Sequence, residues 1–220
     1  MKPASHHSNA RVQLEAVSLR YPAAQGNTLS NVAFELVHDG SAIAIVGPSG
    51  SGKSSFLSLL GGLIRPTTGK VVAHSRLGQP CVPLDVVSWV FQTTNSLPRR
   101  SVRDNAALAA FAVLPRTEAL AAASICLERV GLGAIQQRQA RHLSGGELQR
   151  LGVARALASD APFMILDEPT GQLDSLTSET VLDAVFAQHE VSRVIATHDT
   201  KVMERCDVVY HLDAGRIVRH

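Results

Sequence analysis

Ala42-Ile43-Ala44-Ile45-Val46-Gly47-Pro48-Ser49-Gly50-Ser51-Gly52-Lys53-Ser54 constrains everything else in this chain of 220 residues. Its first five residues are apolar without interruption, as in a strand buried on both sheet faces. Its last eight fit G-x-x-x-x-G-K-[ST], and Phe56, Leu59, Leu60, Leu63 and Ile64 follow at helical spacing. A buried strand, a glycine-rich turn and a helix beginning at Lys53 are the context which that pattern requires. Glycines let the backbone curl until successive N–H groups point inward, and a helix start adds its positive dipole end. The Lys53 ammonium suits β- and γ-phosphates, and the Ser54 hydroxyl suits Mg2+. The plain alternative is a ligand-free connection, but few such loops keep all the fixed positions after a buried strand. The segment therefore predicts nucleotide binding by Gly47, Pro48, Ser49, Gly50, Ser51, Gly52, Lys53, Ser54 and Ser55.

Further along, Phe163-Met164-Ile165-Leu166 runs into the adjacent acids Asp167 and Glu168. Charge at the end of a buried strand is costly without a partner, and Mg2+ is the natural one beside a phosphate loop. Asp167 then suits the ion and Glu168 suits a general base or water positioner. A strand end capped by solvated acids is the alternative for this segment taken alone. His198 follows Val194-Ile195-Ala196, where a structural, solvated or phosphate-facing role is equally open; Gln92 after Trp89-Val90-Phe91 is as ambiguous. Ser144 and Glu147 form an S-x-x-E capping box, which by itself marks a helix start. The glycines Gly145 and Gly146 in that start expose N–H groups and make a second anion site. One nucleotide does not need two such sites in one protomer, which suggests nucleotides shared between two copies.

Around these motifs the chain reads as strands at Val12 to Tyr21 and Val32 to Val37, parted by a turn at Gln25-Gly26-Asn27. The helix beginning at Lys53 is expected to stop near Gly61-Gly62 or Arg65-Pro66. Ser101 to Leu157 is mostly helical, with Ser101 and Asp104 as a cap and Thr117 to Val130 closed by Gly131. Val208 to Leu212 and Ile217 to Val218 flank a turn at Asp213-Ala214-Gly215. Strands separated by helices imply an α/β core. With 45% apolar residues the chain can bury a substantial core, and a net charge of +2 gives no reason to expect nucleic acid. A mean hydropathy of +0.08 prompts a search for a membrane span. The most apolar stretch, Ala106 to Leu114, falls far short of the ~20 residues required. Residues 1–10 are polar, without a signal-peptide core, and are expected to form a disordered lead. Cys81, Cys126 and Cys206 form no CxxC pair, which argues for a reducing compartment and against zinc. A stray metal contact at His6 and His7 is a minor alternative.

Taken together these residues resemble the ATP-binding cassette (ABC) ATPase family from about Val12 to Val218. Gly47 to Ser54 matches its Walker A loop, and Phe163 to Asp167 with Glu168 its Walker B strand and catalytic glutamate. Leu143-Ser144-Gly145-Gly146-Glu147 matches the signature, Gln92 the Q-loop glutamine, His198 the switch histidine and Leu173-Asp174 the D-loop. Tyr21 sits where an aromatic stacks on adenine, which favours ATP over GTP only as a preference. The resemblance implies a P-loop NTPase (RecA-like) core over 11–92 and 155–220, with an antiparallel β lobe and an inserted helical lobe over about 93–154. It implies ATP hydrolysis by Glu168, His198, Gln92 and Lys53, with Mg2+ held through Ser54, Gln92 and Asp167. ATP would also meet Ser144, Gly145, Gly146 and Asp174 of a second copy in a head-to-tail sandwich dimer. The partner implied is an integral membrane permease, which places the chain at the cytoplasmic face of the membrane.

Within the family, Asp167-Glu168-Pro169-Thr170-Gly171-Gln172-Leu173-Asp174 looks like the subgroup of lipoprotein-releasing, macrolide and peptide exporter, and cell-division cassettes, with Gly171 the telling residue. An importer ATPase is the alternative within transporters. A non-transport ABC ATPase acting on DNA ends or ribosomes is the main competitor, but only about 90 residues separate Walker A from the signature, too few for a long coiled coil. A poorly hydrolysing ATP switch sits badly with Glu168 and His198. Another P-loop kinase or GTPase sits badly with Ser144-Gly145-Gly146. Two features depart from or extend the pattern. Gln139-Ala140-Arg141-His142 lacks the proline often found before the signature. Thr93 to Arg103, with Arg99-Arg100, is either a permease-docking segment or a solvated face.

Overall fold

Alternating apolar residues make the first sheet. In a computed structural model, which describes residues 8–22 and 26–219, β1 (Arg11–Leu19) and β2 (Leu29–Val37) pair antiparallel, with Val12 opposite Leu36 and Leu14 opposite Phe34. The alternation slips at Ala16, whose φ of 50° and the register shift between Leu14 and Val17 mark a bulge. β3 (Ala42–Val46) belongs to a second sheet and is buried along its length. α1 (Lys53–Leu60) follows it and ends at Gly61, the earlier of the two expected stops, so Leu63 and Ile64 lie beyond the helix although they continue its spacing. It buries Phe56, Leu57, Leu59 and Leu60, and Phe56 meets Phe34 edge-on at 5.1 Å.

β4 (Thr68–His74) pairs with the other edge of β1 and carries β5 (Pro80–Cys81), so the first sheet runs β2-β1-β4-β5. β6 (Val87–Val90), β7 (Phe163–Asp167), β8 (Ser192–Ala196), β9 (Val208–Asp213) and β10 (Arg216–Arg219) complete the second sheet in the order β10-β9-β3-β8-β7-β6. β3 lies parallel to β8 and β9, with Ile45 opposite Ala196 and Tyr210. The expected hairpin closes at Ala214 and Gly215, both left-handed, with φ of 44° and 74°. Of the expected lead, residues 1–7 with His6 and His7 lie outside the described residues, as does Gln25. Ala10 is buried, and its carbonyl accepts from the His38 N–H at 3.1 Å.

The chain forms two compact units. One takes Met1–Val87, Ala161–Ile165 and Glu190–His220, and the other takes Ser88–Asp160 and Leu166–His189. The second holds α2 (Val102–Ala106), α3 (Arg116–Arg129), α4 (Gly145–Leu157) and α5 (Ser175–Phe186), while α6 (Thr200–Glu204) belongs to the first. Ser101 caps α2 by accepting from the Asp104 N–H at 2.9 Å, and Gly131, with φ of 70°, ends the turn after α3. The loop before the signature manages without proline. Its Ala140 N–H donates to the Arg100 carbonyl at 3.0 Å and its Arg141 N–H to the Pro98 carbonyl at 2.9 Å.

The segment that pairs with that loop is itself tied by one buried amide. Asn105 is fully buried; its Oδ1 accepts from the Leu97 N–H at 2.7 Å, and its Nδ2 donates to the Leu97 and Ser101 carbonyls at 3.0 and 2.9 Å. Asn105→Leu keeps the branched heavy-atom skeleton and strands those backbone groups, so it is expected to cost about 3 kcal/mol of stability. Urea denaturation checks this.

Candidate functional site

The phosphate loop belongs to the first unit. Gly47 follows β3 so closely under β9 that a Cβ there would run into the Leu212 carbonyl. Gly52, with φ of 102°, turns the chain into α1, and no side chain caps that helix among the described residues. The first N–H groups of α1 are thus without a side-chain acceptor, whereas α4 and α5 start under Ser144 and Asp174. The Ser51 hydroxyl is buried and finds no hydrogen-bond partner among the described residues. The Lys53 ammonium crosses the loop and donates to the Gly47 and Pro48 carbonyls at 2.8 and 3.2 Å. Pro48, Ser49 and Gly50 form an exposed tip, and Ser54 is exposed on the first turn of α1. Uncapped N–H groups, an orphaned hydroxyl and a lysine together suit a phosphate chain.

Two more expected residues converge on this loop. The Tyr21 hydroxyl lies 3.1 Å from Ser55 Oγ, which leaves the ring at the surface, 44% exposed. β8 runs parallel to β3, so Gly47 and the Thr197-His198 pair leave the same sheet edge, where ligands of parallel sheets sit. The Thr197 N–H donates to the Ile45 carbonyl at 3.2 Å, and Thr197 Oγ1 accepts from the Asp199 N–H at 3.0 Å. His198 itself is exposed.

The second unit carries Gln92, Asp167, Glu168, Ser144, Gly145, Gly146 and Asp174. Asp167 ends β7 half-buried, and Glu168 turns left-handed with φ of 47°. That conformation costs a non-glycine residue about 1 kcal/mol or more, and such strain gathers where a side chain must be aimed. The turn after it is closed by Gly171 N–H to the Glu168 carbonyl at 3.2 Å and Leu173 N–H to the Thr170 carbonyl at 3.0 Å. Gln92 is exposed and follows Phe91, whose ring stacks on Trp89 at 5.0 Å. Among the described residues no three His, Cys, Asp or Glu side chains gather to hold a metal. The expected metal set, Ser54, Gln92 and Asp167, has a single carboxylate, which fits Mg2+ bound mainly through phosphate and water.

The signature forms the reciprocal cap its spacing predicts. The Glu147 N–H donates to Ser144 Oγ at 3.3 Å, and the Ser144 N–H donates to Glu147 Oε2 at 2.7 Å. Ser144 and Gly145 stay exposed. A Cβ on Gly146 would sit 3.3 Å from a Leu173 methyl. Asp174 turns out to be the cap of α5: its two carboxylate oxygens accept from the Thr177 N–H at 2.9 Å and the Thr177 hydroxyl at 2.8 Å. Sequence reasoning missed Gln149, 1% exposed on α4, whose side chain reaches the backbone beside both Gln92 and Glu168. Its only sequence signal is a polar residue at a buried period of the helix.

Comparison with known proteins agrees with these motifs. The family model described as ABC transporter matches residues 29–171. The lipoprotein-releasing system ATP-binding protein LolD of Pseudomonas fluorescens is 38% identical, over 86% of this chain and 88% of its own. The methionine import ATP-binding protein MetN of Geobacillus kaustophilus is 34% identical, over 94% of this chain and 64% of its own. Among solved structures, the dimeric post-hydrolysis state of the ATP-binding cassette MJ0796 bound to ADP and Pi superposes with a TM-score of 0.82. It is 28% identical, over 95% of this chain and 97% of that one.

The signature cap predicts a pH effect. The Ser144 backbone N–H holds the Glu147 carboxyl below its ordinary value of 4.5, so folding favours the ionised form. Its contribution is complete above that value and is lost as pH falls through the lower folded one. Thermal melts between about pH 5 and 3 should therefore lose less stability in Glu147→Gln than in the native chain.

Proposed function

Because this chain belongs to the ABC transporter family of ATP-binding subunits and hydrolyses ATP, we propose that it powers a separate integral membrane permease, in export or in lipoprotein or peptide handling. One observation carries the reading: a single chain bears both the uncapped α1 start behind Lys53 and a second exposed helix start at Ser144-Gly145-Gly146. Two such starts in one protomer make sense when two copies share their nucleotides. The dimeric MJ0796 cassette supports that arrangement. In the proposed dimer of this chain, the loop of one copy and the signature of the other enclose one ATP, and closure of the pair drives the permease.

The roles follow from the side chains. Backbone N–H groups of Ser49 to Ser54 and the Lys53 ammonium bind the β- and γ-phosphates, while the Tyr21 ring offers a flat face to adenine. Glu168 takes a proton from the attacking water, aimed by its left-handed backbone. His198 donates to the γ-phosphate, and Gln92 orients water and metal. Mg2+, held through Ser54, Gln92 and Asp167, would neutralise negative charge on the β- and γ-phosphates.

The direction of transport is proposed from Asp167 to Asp174, with Gly171 as its marker. Relatives of both directions match this chain, LolD as a releasing-system subunit and MetN as an import subunit. Gly171 is a mark of kinship rather than a backbone need, because a Cβ there would meet the Glu168 carbonyl at an ordinary 3.6 Å. No helix among the described residues is long and apolar enough to cross a membrane. In the proposed assembly, the permease holds the chain at the cytoplasmic face. Nucleic acid is not an expected partner.

Glu168→Gln is expected to bind ATP, to lose about a hundredfold or more in turnover, and to accumulate as a dimer by light scattering. A monomer at saturating ATP would refute the shared site. Lys53→Ala should abolish binding or turnover. Co-purification of an integral membrane protein from detergent extract supports the transporter reading, and a soluble complex with DNA or ribosomes alone overturns it.

A further inference from the structure

One face of α4 grips the segment that follows β6. Gln149, Gly152 and Arg155 are spaced by three residues and so share a helix face. Gly152 lies so close to Thr94 that a Cβ there would strike its hydroxyl. The Arg155 guanidinium donates to the Asn95 and Asn105 carbonyls, each at 3.0 Å. Gln149, buried to 1% exposure, is the residue whose reach goes further. Its Nε2 donates to the Phe91 carbonyl at 3.1 Å and to the Pro169 carbonyl at 3.4 Å, and its Oε1 accepts from the Thr94 hydroxyl at 3.3 Å. The amide orientation is fixed by these partners, since a flipped group would aim its oxygen at two carbonyls.

Phe91 precedes Gln92, and Pro169 follows Glu168. One side-chain amide thus ties the backbone on the near side of the Q-loop glutamine to the backbone on the far side of the acidic pair. Both are tied to the helix whose first residues are Ser144, Gly145 and Gly146. We infer that Gln149 is a positioning residue for hydrolysis, which holds Gln92 and Glu168 in register with the signature helix α4. The inference rests on the roles proposed for Gln92 and Glu168.

Several properties suit this task. The left-handed turn at Glu168 aims the carboxylate, and the Pro169 carbonyl lies one peptide beyond it, where a restraint resists relaxation of that turn. Thr94 anchors the amide from the opposite side, so the two carbonyls cannot move apart without breaking a buried hydrogen bond. Movement of α4 when its start meets a phosphate would therefore be felt at both reacting-side residues in one step. Ground-state nucleotide affinity should be indifferent to the tie, because the partners of Gln149 are two backbone carbonyls and the Thr94 hydroxyl, none of them among the nucleotide-binding groups.

The test uses the full chain and Mg-ATP. Gln149→Met matches the side chain in length and removes both amide protons. It is expected to lower kcat about tenfold, with KM for ATP changed by less than about twofold, and to let the ATP-dependent dimer accumulate as in Glu168→Gln. Thr94→Val is a gentler probe that frees the amide oxygen, and about a threefold loss of kcat at unchanged KM is expected. Native kcat in folded Gln149→Met, or in Thr94→Val should the first variant not fold, overturns the assignment. So does a KM that rises in step with the loss of kcat. Glu168→Gln measured beside them separates the failures. If it is inactive while the Gln149 and Thr94 variants are native, only the positioning role fails; if it keeps native turnover, the reading of the acidic pair fails and the inference falls with it.

Discussion

No side chain among the described residues caps the first N–H groups of α1, a helix that follows a strand buried along its whole length. A buried strand cannot shift to accommodate a ligand, so the loop between Val46 and Lys53 has to present its donors from a fixed frame. Gly47 makes that frame tight by letting the Leu212 carbonyl of β9 lie against the chain. The ammonium of Lys53 is held over the same loop by two of its carbonyls. On the proposed reading, affinity for a phosphate chain comes from donors arranged by the sheet and not from a cluster of basic side chains, in keeping with a net charge of only +2.

The other helix starts show what the chain does when no phosphate is to be bound locally. Asp174 closes α5 with both carboxylate oxygens, and Asp199 closes α6 by accepting from the Lys201 N–H. Ser144 is intermediate, since it completes a capping box with Glu147 and yet remains exposed beside two glycines. A helix start can thus be stable by itself and still offer N–H groups outward. The bound carboxylate of Glu147 also adds charge that any anion approaching Ser144 must meet, which sets a limit on how tightly that start can hold phosphate alone.

What could be read from the chain follows how local the physics is. β3, its loop and α1 were legible because periodicity, glycines and a helix start coincide within a few residues. The capping box and the hairpin at Asp213-Ala214-Gly215 were legible for the same reason. β4 and β5 were not, because much of Thr68–His74 is exposed and offers no clean alternation, and Pro80–Cys81 is too short for any pattern. α5 escaped notice although Asp174 opens it, since the family motif drew that residue toward a ligand role. Gln149 was invisible for a deeper reason. A polar side chain in a helix reads as solvent-facing, and its burial against carbonyls distant in sequence is decided only once the fold exists.

The left-handed backbone at Glu168 bears on which faults the cell would notice. At most positions a damaging substitution also weakens folding, and the faulty chain is cleared. Asparagine or glycine at 168 would remove the carboxylate while sitting more comfortably in that conformation. On the role proposed for Glu168, such a subunit would fold, take its place in the assembly and stall it, so a rare allele of this kind would behave as a dominant poison and not as a simple gap.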